Sequence, residues 1–249
     1  MVFRDKSSIV CEAGHCFDVS GTGYINFVPQ QSKTAYTKDL FESRRQIFAD
    51  GFYDRVLDAI AQYCDKYQKK PTTRVLDAGC GEGFFAADLA NKYDIFAMDI
   101  QKEAVRLAAK ANDSVKWMVG DVANIPLRSA SVDVLLSIFS PANYGEFLRV
   151  LSPNGVVIKV VPGPGYLVEL RELAGKKGYS NASVLEWFDK HVHCVDKTHL
   201  HYQLPMTEKQ CVNFINMTPM MRHVDKNIDA AFITIDVEVV VGRRRCGVL

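Results

Sequence analysis

Residues 74–85 read RVLDAGCGEGFF, and this stretch decides the fold of the chain. Its apolar first half predicts a short buried strand, and residues 86–93 behind it are helical in pattern. Between them lies a turn with glycine at every second position. A strand, a glycine-rich turn and a helix form a nucleotide-binding crevice, because glycines let the backbone approach a ligand and the helix amino terminus offers unpaired N–H donors.

The spacing Asp-x-Gly-x-Gly-x-Gly, which starts at Asp77, distinguishes this turn from two kinds of phosphate-binding loop. It differs from the dinucleotide pattern Gly-x-Gly-x-x-Gly, and it lacks the Lys-Ser/Thr pair of a phosphate loop. It resembles motif I of the S-adenosylmethionine-dependent methyltransferases. The alternative is a tight turn with a structural role only, and the segments that follow decide between the two.

An acidic residue ends the next predicted strand, at residues 95–98, and this residue is Asp99. A carboxylate about 20 positions after the glycine turn accepts hydrogen bonds from ribose hydroxyls in such folds. Asp99 is also placed to cap the predicted helix at residues 102–111, and the two roles are compatible. Further along, Asp121 can bond the amino group of an adenine, and Val122 can pack on its ring.

The remaining strands are predicted at residues 115–119, at residues 132–138, and after a Leu-Ser-Pro-Asn-Gly turn that begins at residue 151. This order favours an α/β protein of the class I, Rossmann-like methyltransferase type. We expect a central, mostly parallel sheet with helices on both faces.

Residues 38–68 carry helical spacing interrupted at Gly51, which predicts two helices. Arg44 and Arg45 lie side by side on the first helix, where they are either solvated or in contact with an RNA phosphate or the cofactor carboxylate. The complete set of expected S-adenosylmethionine contacts is Asp77, Gly79, Gly81, Glu82, Gly83, Asp99, Ile100, Asp121, Val122 and Arg45.

The first 35 residues differ from the rest because they show little helical periodicity. Cys11 and His15 have the separation of one half of a zinc clip, but a structural zinc ion needs four ligands, and no Cys-x-x-Cys pair is present. Cys16 is a third candidate ligand, although adjacent ligands strain a tetrahedral site. The alternative is a cysteine and a histidine in an ordinary turn.

Four of the six histidines fall between positions 191 and 201. The run His199-Leu-His201-Tyr predicts a strand with both imidazoles on one face. No His-Glu-x-x-His pattern is present, which favours solvated or substrate-facing histidines over a metal site. The tail predicts a helix at residues 208–217 and two hairpin-like strands at residues 232–235 and 237–241.

The composition bounds the class of protein. The chain has 249 residues, a net charge of +1 and 48% hydrophobic residues, which fits one large α/β domain with a small appendage and excludes a strongly basic nucleic-acid binder. No apolar run approaches the roughly 20 residues of a membrane span, and no signal peptide is recognisable. The seven cysteines are an odd number, which favours thiols in a reducing cytoplasm.

Segments along nearly the whole chain resemble the bacterial 23S ribosomal RNA guanine-N1 methyltransferases, a group that includes relatives conferring macrolide resistance. The matching segments are Cys11-x-x-x-His15 with Phe17-Asp18, GYINF at 23–27, SRRQIFADGFY at 43–53, DAGCGEGFF at 77–85, VPGPGYLVEL at 161–170 and NMTP at 216–219. The amino-terminal block, RRxxFxxGxY and Met-Thr-Pro are the most specific of these.

The resemblance implies methyl transfer from S-adenosylmethionine to N1 of a guanine in a 23S rRNA hairpin loop. It implies a zinc-binding, RNA-recognising module at residues 1–35, a methyltransferase domain at residues 36–249, a homodimer and no membrane association. In the family a Cys-x-x-Cys pair precedes the position of Cys11 by about a dozen residues. Because Cys11 and His15 keep their spacing, we expect that the true start of the protein lies upstream of Met1.

The chemistry of the acceptor requires a base or donors near O6, because guanine N1 is a poor nucleophile until it loses its proton. His199 and His201 are the candidate bases, and Phe139, Tyr144 and Tyr166 are candidate stacking surfaces for a base that leaves its stack. The segment Phe-Ser-Pro-Ala at residues 139–142 lacks the Asn/Asp-Pro-Pro-Tyr/Phe motif of enzymes acting on exocyclic amines.

Two other functions stay open from the sequence. A small-molecule methyltransferase shares motif I and the turn before the fifth strand. A non-catalytic, ribosome-associated module that binds the cofactor would also keep the glycine turn.

Overall fold

The computed structural model describes residues 2–5, 7–28, 38–67, 72–176, 178–221 and 230–245. The chain forms two compact units. The first comprises Met1–Thr34 and Tyr67–Val157, and the second comprises Ala35–Lys66 and Ile158–Leu249. The predicted domain boundary between residues 35 and 36 stays a prediction.

The strands are β1 (Val2–Asp5), β2 (Ser8–Val10), β3 (Cys16–Asp18), β4 (Ile25–Asn26), β5 (Arg74–Ala78), β6 (Asp94–Asp99), β7 (Lys116–Val119), β8 (Val132–Ile138), β9 (Leu151–Pro162), β10 (Val192–Pro205) and β11 (Phe232–Arg244). The helices are α1 (Lys38–Ala49), α2 (Asp54–Tyr67), α3 (Phe84–Leu89), α4 (Lys102–Ala111), α5 (Tyr144–Val150), α6 (Val168–Leu173), α7 (Ala182–His191) and α8 (Glu208–Met217), followed by a 3₁₀ turn at Pro219–Met221. Within the described residues, no helix has the length and apolarity needed to cross a membrane.

A parallel sheet forms the centre of the first unit, as the sequence predicts. β5 pairs in parallel with β6 on one side and with β8 on the other, and β7 and β4 extend the sheet beyond β6. The strands are apolar on both faces because helices cover them, which is typical of parallel sheets. Val75, Leu76 and Leu135 are fully buried, and Trp117 on β7 is 2% exposed.

The amino terminus of the first unit adds a small antiparallel sheet in the order β1-β2-β3. A tight turn between β2 and β3 brings residues 11–15 together: the Gly14 N–H donates to the Cys11 carbonyl at 2.9 Å, and the Cys11 N–H donates to the His15 carbonyl at 2.9 Å.

The second unit contains α1, α2, α6, α7, α8 and the long antiparallel pair of β10 and β11. Gly51 separates α1 from α2, and α8 spans residues 208–217, so both helix predictions are confirmed. Helices α1 and α8 pack together, and the rings of Phe52 and Phe214 meet edge to face at 5.0 Å. A capping box between Thr207 and Gln210 begins α8.

Three sequence predictions about element bounds are wrong. The tail forms one continuous strand, β11, where two hairpin-like strands are predicted, because Asp236 stays in the ladder opposite His201. The predicted turn at residues 151–155 lies within β9, where the exposed Pro153 needs no hydrogen-bond partner. Helix α3 begins at Phe84 and ends at Leu89, because residues 90–93 already turn toward β6.

Replacing Gly83 by alanine tests how tightly the glycine turn is packed. Gly83 precedes α3 with φ +83°, and a Cβ there would overlap the Trp117 ring and lie 2.9 Å from the Ala108 Cβ. We expect Gly83→Ala to lower the free energy of unfolding by about 2–5 kcal/mol, the sum of left-handed strain and overpacking. Gly14→Ala is the matched control: Gly14 also has φ +83°, but nothing lies within 4 Å of its Cβ position.

Chemical denaturation of both variants measures the difference. Gly14→Ala should lose only the strain contribution, about 1–2 kcal/mol. Equal losses in the two variants would show that packing against Trp117 is unimportant.

Candidate functional site

The glycine turn after β5 is tied to the end of β6 by backbone hydrogen bonds. The amides of Gly79 and Cys80 both donate to the Met98 carbonyl, at 2.8 and 3.0 Å. The Gly81 amide donates to the Asp99 carboxylate at 2.9 Å. These bonds hold the turn open at the carboxyl end of the sheet, where α/β folds bind their ligands.

Asp99 joins three segments of this edge. Its second oxygen accepts from the Gln101 amide at 2.8 Å, and its carbonyl accepts from the Gly120 amide at 3.0 Å. Asp99 does not cap α4, because the N-cap residue is Gln101. A carboxylate has about four lone-pair sites, so one that accepts from backbone amides can also accept from ribose hydroxyls.

The expected adenine contacts lie on the neighbouring turns of the first unit. Asp121 holds its own turn, because its carboxylate accepts from the Ala123 amide at 2.8 Å. Val122 is half-buried, and Ile100 is 44% exposed although it is a large apolar residue. Exposed apolar side chains beside acceptors of this kind suit an adenine ring, but these assignments stay predictions.

Asp77 is the electrostatic centre of the turn. Its side chain is 1% exposed, and no described residue donates a hydrogen bond to its Oδ1. Burial raises the pKa of Asp77 from 3.8 to about 7, and the negative charges of Asp99 and Glu82 add to the shift. A cationic ligand would relieve this repulsion, so the acidic cluster fits the sulfonium and amino groups of S-adenosylmethionine.

A serine pair braces the end of β8 against the same turn. The Ser140 hydroxyl donates to the Ala78 carbonyl at 2.7 Å and lies 3.1 Å from the Ser137 hydroxyl. Phe139 between them has φ +52°, a left-handed conformation that costs a non-glycine residue about 1–3 kcal/mol. Such strain is concentrated at functional sites, which is consistent with Phe139 as a stacking surface.

The structure separates the other two stacking candidates. Tyr144 is 3% exposed and packs edge to face on Phe147, so its prediction as a stacking surface is wrong. Tyr166 is half-buried in the second unit, where its hydroxyl lies 2.5 Å from the Tyr53 hydroxyl. Burial raises the pKa of Tyr166 to about 12, so this phenol stays protonated at neutral pH.

The arginine pair lies on α1 in the second unit. Arg44 is half-buried, and its guanidinium lies 5.8 Å from the centre of the Phe41 ring. Arg45 is exposed, and its assignment to the cofactor stays a prediction.

The candidate bases lie on β10, with both imidazoles on one face as predicted, and they share a partner. The Nε2 atom of His199 lies 2.6 Å from the Asp236 Oδ1 atom, and the Nδ1 atom of His201 lies 3.8 Å from it. Asp236 is not among the predicted site residues, because the sequence predicts a break between two tail strands at this position. The apolar run FITIDVEVVV contains two acidic residues, Asp236 and Glu238, and these are the available signal, because a buried carboxylate in a strand needs partners.

The two predicted zinc ligands meet within the first unit. The Cys11 Sγ and His15 Nδ1 atoms lie 3.3 Å apart and are accessible to solvent. Two ligands of a tetrahedral zinc ion would be about 3.6 Å apart, so this pair fits half of a site. Among the described residues, no third histidine, cysteine or carboxylate completes it.

The raised pKa of Asp77 predicts a specific pH dependence of stability. Because the folded-state pKa is above 3.8, the folded chain retains a proton that the unfolded chain has lost. The Asp77 carboxyl therefore leaves the free energy of unfolding unchanged below about pH 4. It lowers that free energy by an increasing amount as the pH rises to about 7. The free energy of unfolding of the unsubstituted protein, relative to that of Asp77→Asn, should fall between about pH 4 and pH 7. Above about pH 7 the difference should stay constant.

Urea unfolding between pH 4 and pH 8 measures this difference. Asp113→Asn is the control because Asp113 is an exposed acid outside the turn, and its curve should run parallel to that of the unsubstituted protein. Parallel curves for Asp77→Asn as well would contradict the raised pKa.

Two protein families match parts of the chain. A family described as a methyltransferase domain matches residues 75–155, which include the glycine turn, Asp99 and Asp121. A zinc-ribbon family described as RlmA, N-terminal, matches residues 2–36, which include Cys11 and His15.

Individual proteins extend this similarity over most of the chain. A Bacillus subtilis protein named as a putative 23S rRNA (guanine-N1)-methyltransferase is 35% identical over 258 residues, covering 96% of this chain and 92% of the relative. The Streptomyces fradiae 23S rRNA (guanine-748-N1)-methyltransferase is 28% identical over 86% of this chain and 80% of its own length. A putative methyltransferase structure from Bacillus halodurans shares the fold, with a TM-score of 0.52 and 14% identity over 74% of this chain and 97% of that chain. The chain has the class I fold of the S-adenosylmethionine-dependent methyltransferases, and it belongs to the 23S rRNA guanine-N1 methyltransferase family.

Proposed function

We propose that this protein transfers the methyl group of S-adenosylmethionine to N1 of a guanine in a hairpin loop of 23S rRNA. The observation that carries the proposal is the acidic glycine turn centred on the buried Asp77, within a chain that matches a relative of this name over 96% of its length. The turn accounts for the methyl donor, and the relatives indicate the acceptor.

The donor requires positioning more than activation, because the sulfonium is already a good leaving group. In this proposal Asp77 and Glu82 attract the cationic methionine end, Asp99 accepts from the ribose, and Asp121 with Val122 holds the adenine. Glycines at 79, 81 and 83 let the backbone approach the cofactor.

The acceptor must lose its N1 proton and leave its stack. Phe139 and Tyr166 are the remaining stacking candidates after the burial of Tyr144. His199 or His201 as the proton acceptor stays a prediction.

We also propose that Cys11 and His15 form one half of a structural zinc site in the amino-terminal module. The 3.3 Å separation of their ligand atoms and the zinc-ribbon match support this. A homodimer and a cytoplasmic location stay predictions.

A methyl-transfer assay tests the proposed function directly. The protein is incubated with labelled S-adenosylmethionine and with protein-free large-subunit RNA that lacks the modification, and the RNA is digested to nucleosides. We expect the label in N1-methylguanosine. A metabolite extract offered in parallel tests the small-molecule alternative, and label in the extract alone would overturn the RNA assignment.

Variants connect this activity to the turn. Asp77→Asn should lower kcat/KM about 10- to 100-fold, because it removes the charge that faces the cationic donor. Asp113→Asn should leave the rate unchanged. Cofactor binding without any transfer in the unsubstituted protein would favour a non-catalytic module.

A further inference from the structure

One face of the β10–β11 pair carries a row of polar side chains. The ladder sets His199 opposite Glu238 and His201 opposite Asp236, so the four side chains lie on the same face. Next along this face, Lys197 pairs with Glu238 at 3.1 Å, which neutralises the adjacent carboxylate. Asp236 is therefore the anionic neighbour of the two imidazoles.

The ligand atoms of His199, His201 and Asp236 all lie within 4.8 Å of one another, and no other such group of three occurs among the described residues. The two ligands of a tetrahedral zinc ion would be about 3.3 Å apart for nitrogen and oxygen donors. The observed separations from the Asp236 Oδ1 atom are 2.6 and 3.8 Å, so each differs from that distance by less than 1 Å. We propose that His199, His201 and Asp236 form a binding site for a divalent transition metal ion of the zinc class.

The backbone around Asp236 is shaped to orient its carboxylate. The Gly165 amide donates to the Asp236 Oδ2 atom at 2.6 Å, and the Gly163 amide donates to the Asp236 carbonyl at 2.7 Å. A Cβ at Gly163 would overlap the carboxylate, and a Cβ at Gly165 would lie 2.9 Å from its Oδ2 atom. The glycines of VPGPG thus allow the loop to close on Asp236, and the bond from Gly165 leaves Oδ1 as the ligand atom.

The access and chemistry of the site fit a metal with an open position. The side chains of His199 and His201 are 51% and 59% exposed, whereas Asp236 is 5% exposed. An ion can therefore enter from solvent, and three protein ligands leave a fourth position for water. Two imidazoles and one carboxylate favour Zn²⁺, Co²⁺ or Ni²⁺ over Mg²⁺ or Ca²⁺, which prefer oxygen ligands.

The inference does not rest on the proposed methyl transfer, but a bound metal ion would occupy the imidazole nitrogens of the two candidate bases, so it is an alternative to their role as proton acceptors. The site shares no residue with the Cys11–His15 pair, and its donor set contains no thiolate. Cobalt substitution therefore distinguishes the two sites, because only a cysteine ligand gives sulfur-to-cobalt charge-transfer absorption.

Cobalt titration of the chelator-treated full chain tests the proposal. In the full chain with Cys11→Ser and His15→Ala, we expect visible d–d absorption without a thiolate band, and competition by Zn²⁺ in calorimetry. His199→Ala and His201→Ala should each weaken this binding more than about 10-fold, because each removes a ligand. Their exposure makes misfolding a minor concern, and thermal unfolding checks it.

The matched control is His193→Ala, which removes an exposed histidine of the same strand and should leave cobalt binding unchanged. Gly165→Ala should weaken binding about 10- to 100-fold without removing any ligand, because it displaces the carboxylate. A Cys11→Ser, His15→Ala background should retain the d–d bands. Cobalt binding of equal affinity in His199→Ala, His201→Ala and the unsubstituted protein, or no binding without a thiolate band, would overturn the site.

Discussion

The parallel pairing of β5 with both β6 and β8 is the constraint on which the first unit depends. Three parallel strands end at the same edge, so the residues that follow them must share it. The turn after β5, the Asp99 carboxylate at the end of β6 and the Ser140 hydroxyl after β8 meet there for this reason. Helices on the faces of the sheet leave this edge as the place where a ligand can bind.

That edge is electrostatically unfavourable without a ligand. Asp77 is buried, its Oδ1 atom accepts no hydrogen bond from the part of the chain that the structure describes, and its pKa is raised by burial and by two further acids. Natural proteins accept such local costs where function requires them. The arrangement becomes favourable when a cation occupies the turn, which links the stability of the fold to the charge of the methyl donor.

The sequence predicted the parts of the structure that local patterns determine. The β5 turn, the break at Gly51 and the bounds of α8 follow from periodicity and glycine placement. The role of Asp236 could not be predicted in this way, because its partners are distant in sequence. His201 lies 35 residues earlier on β10, and the other partners lie in the Gly163–Gly165 loop. An acidic residue in an apolar run indicates a partner but does not identify it.

Burial explains the remaining difference at the candidate site. Tyr144 and Phe139 lie five residues apart and are both aromatic, yet one packs in the core and the other has a strained backbone at the end of β8. The sequence contains no signal that separates them, because the difference arises from how α5 packs against its neighbours.

The most direct test of the central claim is calorimetry of S-adenosylmethionine binding at pH 6.5 in buffers of different ionisation enthalpy. If a cationic donor binds beside Asp77, it lowers the raised pKa of that carboxyl, so the account predicts proton release on binding that Asp77→Asn abolishes. Binding heats that are independent of the buffer, with equal affinity in Asp77→Asn, would contradict the account.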